Sequence, residues 1–93
     1  MGYIKVKNVN GSSRWDAPEG YASWIDYWCK HKGLIIDCCA TDCNGEAEVG
    51  AHVVKAEGED KSVYIVPLCK GCNKRTDEFM VHENLLLPVP SRL

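Results

Sequence analysis

Two pairs of closely spaced cysteines carry the clearest chemical pattern in the sequence. One pair, Cys38 and Cys43, encloses four residues, and the other, Cys69 and Cys72, encloses two. A loop of this length directs two thiolates at one ion, and its backbone N–H groups donate to the sulfur atoms. The spacing therefore predicts a structural Zn²⁺ site with four ligands, namely Cys38, Cys43, Cys69 and Cys72.

The first pair allows two choices for one of its ligands, because Cys39 directly follows Cys38. Three residues separate Cys39 from Cys43, and this spacing also suits a metal-binding loop. We predict that Cys38 is the ligand and keep Cys39 as the alternative.

A redox function is a second interpretation of the C-x-x-C spacing of Cys69 and Cys72. A thioredoxin-like motif would lie between a strand and a helix, and it would not need a second cysteine pair. The presence of the first pair therefore favours metal binding over thiol exchange.

Length, charge and hydropathy narrow the remaining possibilities. A chain of 93 residues has room for one hydrophobic core, so we expect residues 1–93 to form a single domain. The formal charge of −2 provides no overall positive field for nucleic acid, so any such contact must be local. No apolar run approaches the roughly 20 residues needed to cross a bilayer.

The cellular compartment is inferred from the cysteine content and the first residues. Six cysteines in 93 residues fall below the roughly 8–10% typical of short secreted disulfide scaffolds. The first residues alternate polar and apolar side chains instead of forming an apolar secretory segment. We therefore expect a cytoplasmic protein without stable disulfides and without a membrane partner.

Two elements are predicted before the first cysteine pair. Residues 3–7 alternate in polarity and predict a strand. A helix is predicted from the turn around Asp16 and Pro18, where Glu19 gives a spacing like that of a capping box, to Gly33. Its apolar side chains form one stripe at helical spacing, namely Tyr21, Trp24, Ile25, Trp28 and Cys29.

The two cysteine pairs flank a predicted β-hairpin. Residues 48–54 form the first strand, and residues 62–66 form a return strand that Pro67 is expected to end. A helix is predicted over residues 73–80, starting inside the second cysteine loop. The segment 84–90 is expected to be extended by its prolines and to pack back on the domain.

These elements predict an α+β fold class. The order of knuckle, hairpin, knuckle and helix is that of a treble-clef zinc finger. The expected architecture is a small zinc-stapled ββα core, preceded by an amphipathic helix and an N-terminal strand.

The segment 38–73 resembles the zinc-stapled HNH nucleases and their ββα-metal relatives. The resemblance rests on Cys38 and Cys43, on GAHVV at residues 50–54, and on YIVPLCKGCN at residues 64–73. It covers less than half of the chain. It implies an HNH-like fold in which two thiolate knuckles surround a ββα unit, and a further metal site that hydrolyses phosphodiester bonds.

The resemblance also implies roles for two residues in an active member of the family. His52 would be the general base for water, and Asn73 would be a ligand of Mg²⁺ or Mn²⁺. A neutral imidazole suits the first role near neutral pH, and an amide oxygen suits the second. The non-catalytic interpretation of His52 is a hairpin side chain that packs or donates a hydrogen bond beside the zinc site.

Three positions depart from the family pattern. Ala51 stands where an acidic metal ligand is usual, Tyr64 where an asparagine is usual, and Asn73 where the last histidine is usual. Glu46 or Glu48 is the candidate replacement for the missing acid. A site without its anionic ligand should bind Mg²⁺ poorly and lose much of its Lewis-acid catalysis.

Two functions follow, and whether the protein is an enzyme is left open. The preferred one is a non-catalytic zinc-binding module of HNH-like fold that binds a protein or a nucleic acid, DNA or RNA. Lys70, Lys74 and Arg75 form a local cationic patch that suits phosphates. Acidic residues in the hairpin turn suit a protein partner. The alternative is an HNH-type metal-dependent nuclease with His52 as its base.

Overall fold

The computed structural model of the chain describes residues 2–9 and 16–89, which are organised around a five-stranded antiparallel sheet. In chain order the elements are β1 (Tyr3–Asn8), α1 (Trp24–Lys32), β2 (Val49–Lys55), β3 (Val63–Leu68), α2 (Lys70–Asn73), β4 (Phe79–His82), a 3-10 turn (Glu83–Leu85) and β5 (Leu87–Pro88). The strands lie side by side in the order β4-β1-β2-β3-β5. This mixed architecture agrees with the α+β class predicted from the sequence.

The N-terminal strand and the hairpin are confirmed. β1 contains all of the predicted residues 3–7, and it pairs with β2 on one side and β4 on the other. β2 and β3 pair from Val49 opposite Leu68 to Val54 opposite Val63. Gly58 lies in their connection at φ +93°, a conformation that glycine adopts without steric cost.

Pro67 lies within β3 and does not end it, so the predicted end of the strand is wrong. The residue stands opposite Gly50, and its carbonyl accepts a hydrogen bond from the Cys39 N–H at 3.0 Å. Its backbone polar groups therefore face away from β2. A proline in this position removes no hydrogen bond from the β2–β3 ladder. The strand continues to Leu68 and leads directly into the second cysteine pair.

α1 ends where the sequence predicts but begins later. The predicted start near Asp16 is wrong, because the N-cap is Ser23, whose hydroxyl accepts a backbone hydrogen bond from the first turn at 3.1 Å. Gly20 has φ +92°, which a right-handed helix excludes. At the other end the Gly33 N–H donates to the carbonyl four residues earlier at 2.8 Å. Tyr21 therefore precedes the helix whose apolar stripe it was predicted to share.

The predicted helix over residues 73–80 is wrong. The second cysteine pair is followed by α2, a single helical turn, and then by the strand β4. Phe79 and Val81 alternate with more exposed neighbours and are buried, and β1 supplies the hydrogen-bonding partner for the strand. Long-range pairing and burial thus outweigh the local tendency to form a helix. The treble-clef and ββα order predicted from the sequence is not confirmed.

Different parts of the chain pack on the two faces of the sheet. Side chains alternate between the faces along a strand. On one face, Val6, Val53 and Val66 pack with the buried cysteines in the hydrophobic core. On the other face α1 lies against β2 and β3. Trp28 of α1 is 2% exposed, and its indole N–H donates to the Leu85 carbonyl at 2.8 Å.

The C-terminal segment packs back on the domain as predicted, as far as the structure describes it. Leu86 is buried, and Leu87 and Pro88 pair with β3 as β5. Pro90 of the predicted segment lies outside the described residues. β5 and the loop containing Cys39 therefore share the outer edge of β3.

Gly50→Ala is expected to destabilise the domain, because α1 approaches β2 very closely there. A Cβ atom on Gly50 would lie 2.6 Å from the Ile25 nitrogen and 2.6 Å from the Trp24 carbonyl carbon. Both are backbone atoms, so the whole start of α1 must shift. We expect the free energy of unfolding to fall by about 1–3 kcal/mol, as in overpacked cores.

Chemical denaturation measures this loss. Gly2→Ala is the matched control, because nothing lies within 4 Å of a Cβ atom at that position. An unchanged unfolding midpoint for Gly50→Ala would contradict the close packing of α1 on β2.

Candidate metal centre

The first cysteine pair lies in a loop closed by its own backbone, here called the first knuckle (residues 37–46). An isolated β-bridge joins its two ends. Within it the Cys38 N–H donates to the Gly45 carbonyl at 2.9 Å, and the Cys43 N–H donates to the Ala40 carbonyl at 3.1 Å. The Gly45 N–H donates to Cys43 Sγ at 3.3 Å. The loop thus fixes the direction of both cysteines and supplies a backbone hydrogen bond to the sulfur of one of them.

The first knuckle also connects two distant strands of the sheet. The Cys39 N–H donates to the Pro67 carbonyl in β3 at 3.0 Å, and the Thr41 N–H donates to the Met80 carbonyl in β4 at 3.0 Å. β3 and β4 are separated in the sheet by β2 and β1. The sheet therefore curls around its core, and the first knuckle spans the gap between the two strands.

The second cysteine pair lies in the turn of α2, here called the second knuckle (residues 69–75). Cys69 is the N-cap, and its Sγ accepts the Cys72 N–H at 3.4 Å. From β1, the Asn8 amide donates to the carbonyls of Cys72 and Arg75, both at 2.9 Å. The knuckle is thus held by the end of β3 and by the N-terminal strand.

The two knuckles bring the four predicted ligands together. The Sγ atoms of this cluster all lie within 4.8 Å of one another, and they belong to Cys38, Cys43, Cys69 and Cys72. The Sγ atoms of Cys43 and Cys69 are 3.7 Å apart. Four sulfurs each about 2.3 Å from a tetrahedral Zn²⁺ lie about 3.8 Å from one another. The cluster therefore has a size that suits a tetrahedral metal ion.

Cys39, the alternative ligand, is not part of the cluster. Its side chain is buried in the hydrophobic core beneath the first knuckle. Burial, with smaller contributions from Cys38 and Asp37, raises the pKa of its thiol to about 12. Its sulfur does not belong to the group of four that lie within 4.8 Å of one another, so the structure favours Cys38 as the ligand and gives Cys39 a packing role.

Exposure divides the four sulfurs into two kinds. Cys38 and Cys72 are 6% and 7% exposed, and burial is the main cause that raises the pKa of each thiol. Cys43 and Cys69 are half-buried, and the backbone N–H of Cys72 is the main cause that lowers the pKa of Cys69. The buried thiols keep their protons until a cation replaces them, so metal binding releases protons and strengthens with rising pH.

Arg75 links the two knuckles through its guanidinium group. It forms a bidentate pair with Asp42 of the first knuckle at 2.8 and 3.1 Å, and a second with Asp77 at 3.0 and 2.6 Å. These contacts lower the pKa of both carboxyl groups. The guanidinium also contacts the Cys72 side chain and stacks over the Phe79 ring at 4.9 Å. The guanidinium therefore joins the two knuckles beside the cysteine cluster, with its own charge balanced by the two carboxylates.

The cationic patch predicted at the second knuckle is smaller than expected. Lys70 and Lys74 are exposed, but Arg75 is committed to its two carboxylates and its side chain is only 22% exposed. Lys70 and Lys74 therefore provide the cationic surface of this segment.

The residues predicted for nuclease chemistry are not brought together. His52 is 4% exposed, and its ring meets the Trp24 ring edge to face at 4.6 Å, under α1. It therefore lies on the face of the sheet opposite Ala51, which packs with the cysteines. Asn73 is exposed in α2. His52 packs as a hairpin side chain, but not beside the cysteine cluster.

The other positions compared with the nuclease site, Glu46, Glu48 and Tyr64, have different surroundings. The Glu48 carboxylate accepts the Lys70 N–H at 3.3 Å, Glu46 is exposed in the first knuckle, and the Tyr64 hydroxyl donates to Asp60 at 2.6 Å. Within residues 2–9 and 16–89, the cysteine cluster is the one group of three or more His, Cys, Asp or Glu side chains placed to share a metal ion.

Comparisons with protein-family models, with curated proteins and with solved structures find no match for this chain. In the part of the chain that the structure describes, no helix has the length and apolar character to span a bilayer. The class of protein is therefore defined by the fold and the cluster alone: a small α+β domain with a four-cysteine site that can hold a metal ion.

The burial of His52 predicts a specific loss of stability in acid. Burial lowers the pKa of His52 from 6.5 to about 4. Below pH 6.5 the unfolded chain therefore gains a proton that the folded chain does not accept. The contribution of neutral His52 to the free energy of unfolding is complete above pH 6.5 and is lost as the pH falls towards 4. At about 1.4 kcal/mol per pKa unit, the loss amounts to a few kcal/mol.

Denaturant titrations between about pH 7 and pH 4.5 measure this loss. Metal release also weakens the fold in acid, so the control is His52→Gln, which cannot titrate. The unsubstituted protein must lose more stability over this pH range than the variant. Equal losses would contradict the assignment.

Proposed function

We propose that this protein is a zinc-binding module with a structural ion, and that it acts without catalysis as a binding unit for a protein or nucleic-acid partner. The observation that carries the proposal is the cluster of four Sγ atoms within 4.8 Å of one another. An all-sulfur tetrahedral donor set favours Zn²⁺. Four protein ligands leave no open coordination position for water or substrate, as in structural zinc sites.

The position of the cluster supports a structural role for the ion. The first knuckle bridges β3 and β4, and the second is held by β1, so an ion shared by the knuckles connects most of the sheet. Binding free energies of about 10–16 kcal/mol are typical of structural Zn²⁺ near neutral pH. Whole domains have net stabilities of about 5–15 kcal/mol. Loss of the ion should therefore unfold or severely loosen the domain.

Two exposed surfaces support the binding role. Lys70 and Lys74 lie on the second knuckle, where cations are able to contact a phosphate backbone. Leu34 and Ile36 lie in the segment before the first knuckle and are 96% and 73% exposed. Large exposed apolar side chains in one segment favour contact with a protein.

The HNH-type nuclease stays a prediction and ranks second. A general base must reach the water that it activates, whereas His52 is packed beneath Trp24. The methyl group of Ala51 offers no ligand atom for Mg²⁺ or Mn²⁺. These features favour the non-catalytic proposal.

Metal analysis tests the zinc site directly. Protein purified without added zinc is expected to contain about one Zn²⁺ per chain by elemental mass spectrometry. Chelation is expected to abolish its cooperative thermal transition. A protein that contains no metal and melts identically with and without chelator would contradict the proposal.

Cysteine variants refine the same experiment. Cys72→Ser should lose the ion and its melting transition, because it removes a buried ligand. Cys39→Ser is the matched control: this cysteine is equally buried and lies outside the cluster. It should keep a full equivalent of Zn²⁺ even if its melting temperature falls. Loss of zinc from Cys39→Ser alone would exchange the assignments of Cys38 and Cys39.

Salt dependence decides between the two kinds of partner. A nucleic-acid complex should weaken steeply as salt increases, and each lost phosphate contact should reduce the slope by about one. Lys70→Ala and Lys74→Ala should each reduce it, whereas the exposed Lys61 of the hairpin connection serves as the control in Lys61→Ala. A flat salt response would exclude phosphate contact and leave a protein as the partner.

A further inference from the structure

The metal centre has one edge that faces solvent. Cys38 and Cys72 are buried, whereas Cys43 and Cys69 are half-buried, so the two knuckles each contribute one covered and one accessible sulfur. The accessible pair is also in close contact, with the two Sγ atoms 3.7 Å apart. A reagent that reaches this edge therefore meets two neighbouring sulfurs that belong to different loops.

Two features keep this edge open. Gly45 lacks a side chain where a Cβ atom would lie 3.5 Å from Cys43 Sγ and 3.7 Å from Cys69 Sγ. A cavity of about 410 Å³ adjoins the first knuckle, and its wall includes Cys43 together with the more buried Cys38 and Cys39. The cavity is large enough for a small hydroperoxide. Cys43 is the member of the accessible pair that lines it.

A backbone N–H group donates to each of the two accessible sulfurs, and both sulfurs are thiolates when they ligate zinc. The Gly45 N–H donates to Cys43 Sγ at 3.3 Å, and the Cys72 N–H donates to Cys69 Sγ at 3.4 Å. A thiolate is the form that attacks peroxides. A disulfide bond is about 2.0 Å long, so the two sulfurs need to approach by less than 2 Å to join.

We propose that Cys43 and Cys69 are a peroxide-sensitive pair whose oxidation to a disulfide ejects the metal ion. The proposal rests on the zinc site of the proposed function and adds its regulation. The Cys43 thiolate attacks one oxygen of a hydroperoxide, the O–O bond breaks, and the leaving alkoxide or hydroxide takes a proton from solvent. Cys43 is then a sulfenic acid.

The second step closes the disulfide. The Cys69 thiolate attacks the Cys43 sulfur and expels hydroxide, which takes a second proton from solvent. Two electrons pass from the two thiolates to the peroxide, which is reduced to an alcohol and water, or to two waters if it is hydrogen peroxide. Cys38 and Cys72 then remain as the last two ligands, too few to retain the ion.

The test treats the zinc-loaded protein with hydrogen peroxide in about tenfold excess. Zinc release is followed with a chromogenic chelator, and the oxidised bond is located by peptide mass spectrometry. We expect release of the bound zinc, a mass decrease of about 2 Da, and a peptide that links Cys43 to Cys69. A thiol reductant with added Zn²⁺ should restore the original state.

Two variants keep the test specific. Gly45→Ala places a methyl group in ordinary van der Waals contact with both accessible sulfurs, so it should keep its zinc but release it several-fold more slowly under peroxide. Cys39→Ser should release zinc at the unchanged rate and form the same disulfide, because Cys39 is not in the proposed pair.

The outcomes separate this proposal from the zinc site itself. Protein that binds one zinc but resists peroxide, or forms a disulfide through Cys39 or Cys29, overturns the redox proposal and leaves the zinc-binding function intact. Protein that never binds zinc overturns both. An unchanged release rate in Gly45→Ala overturns the proposed route of attack.

Discussion

Four cysteine sulfurs lie within reach of one ion. As thiolates they repel one another unless a shared cation offsets their charge, and without a cation they keep their protons. The arrangement of the two knuckles follows from this constraint. Each is closed by its own backbone, so its cysteines are directed before an ion arrives. Arg75 then connects the knuckles through its bidentate pair with Asp42. Because the first knuckle also bridges β3 and β4, the same constraint determines how far the sheet curls around its core.

The two faces of the sheet have different sources of stability. On the cysteine face, small side chains such as Ala40 and Ala51 leave room for the knuckles against the strands. On the opposite face stability comes from large rings and a very close backbone approach, since Gly50 allows the start of α1 to touch β2. His52 is buried there as a neutral ring against Trp24. A shift of α1 would therefore disturb the aromatic face before it disturbed the cysteine cluster.

The sequence predicts most reliably what is encoded locally. Cysteine spacing predicts the ligand cluster, alternation predicts β1, and β-branched and aromatic residues after a turn predict the return strand of the hairpin. The errors arise where contacts with residues distant in sequence determine the local secondary structure. The local sequence of residues 73–80 favours a helix, but in the fold β1 pairs with this segment as a strand and Phe79 and Val81 are buried. Pro67 is accommodated in β3 because its carbonyl accepts a hydrogen bond from the Cys39 N–H of another loop. The role of Arg75 also depends on Asp42, which lies 33 residues away in sequence, so no local pattern indicates it.

The interior position of β1 in the sheet affects the order in which the chain assembles. Its two partner strands begin only at Val49 and Phe79, so β1 is paired on both sides only after the chain has been synthesised beyond Phe79. Sheets built from such distant pairings fold slowly, because the entropy of closing long loops is lost before contacts compensate for it. During synthesis β1 exposes two unpaired edges while the segments that cover them are still inside the ribosome. Loss of β4 would expose one edge of β1 again in the finished protein.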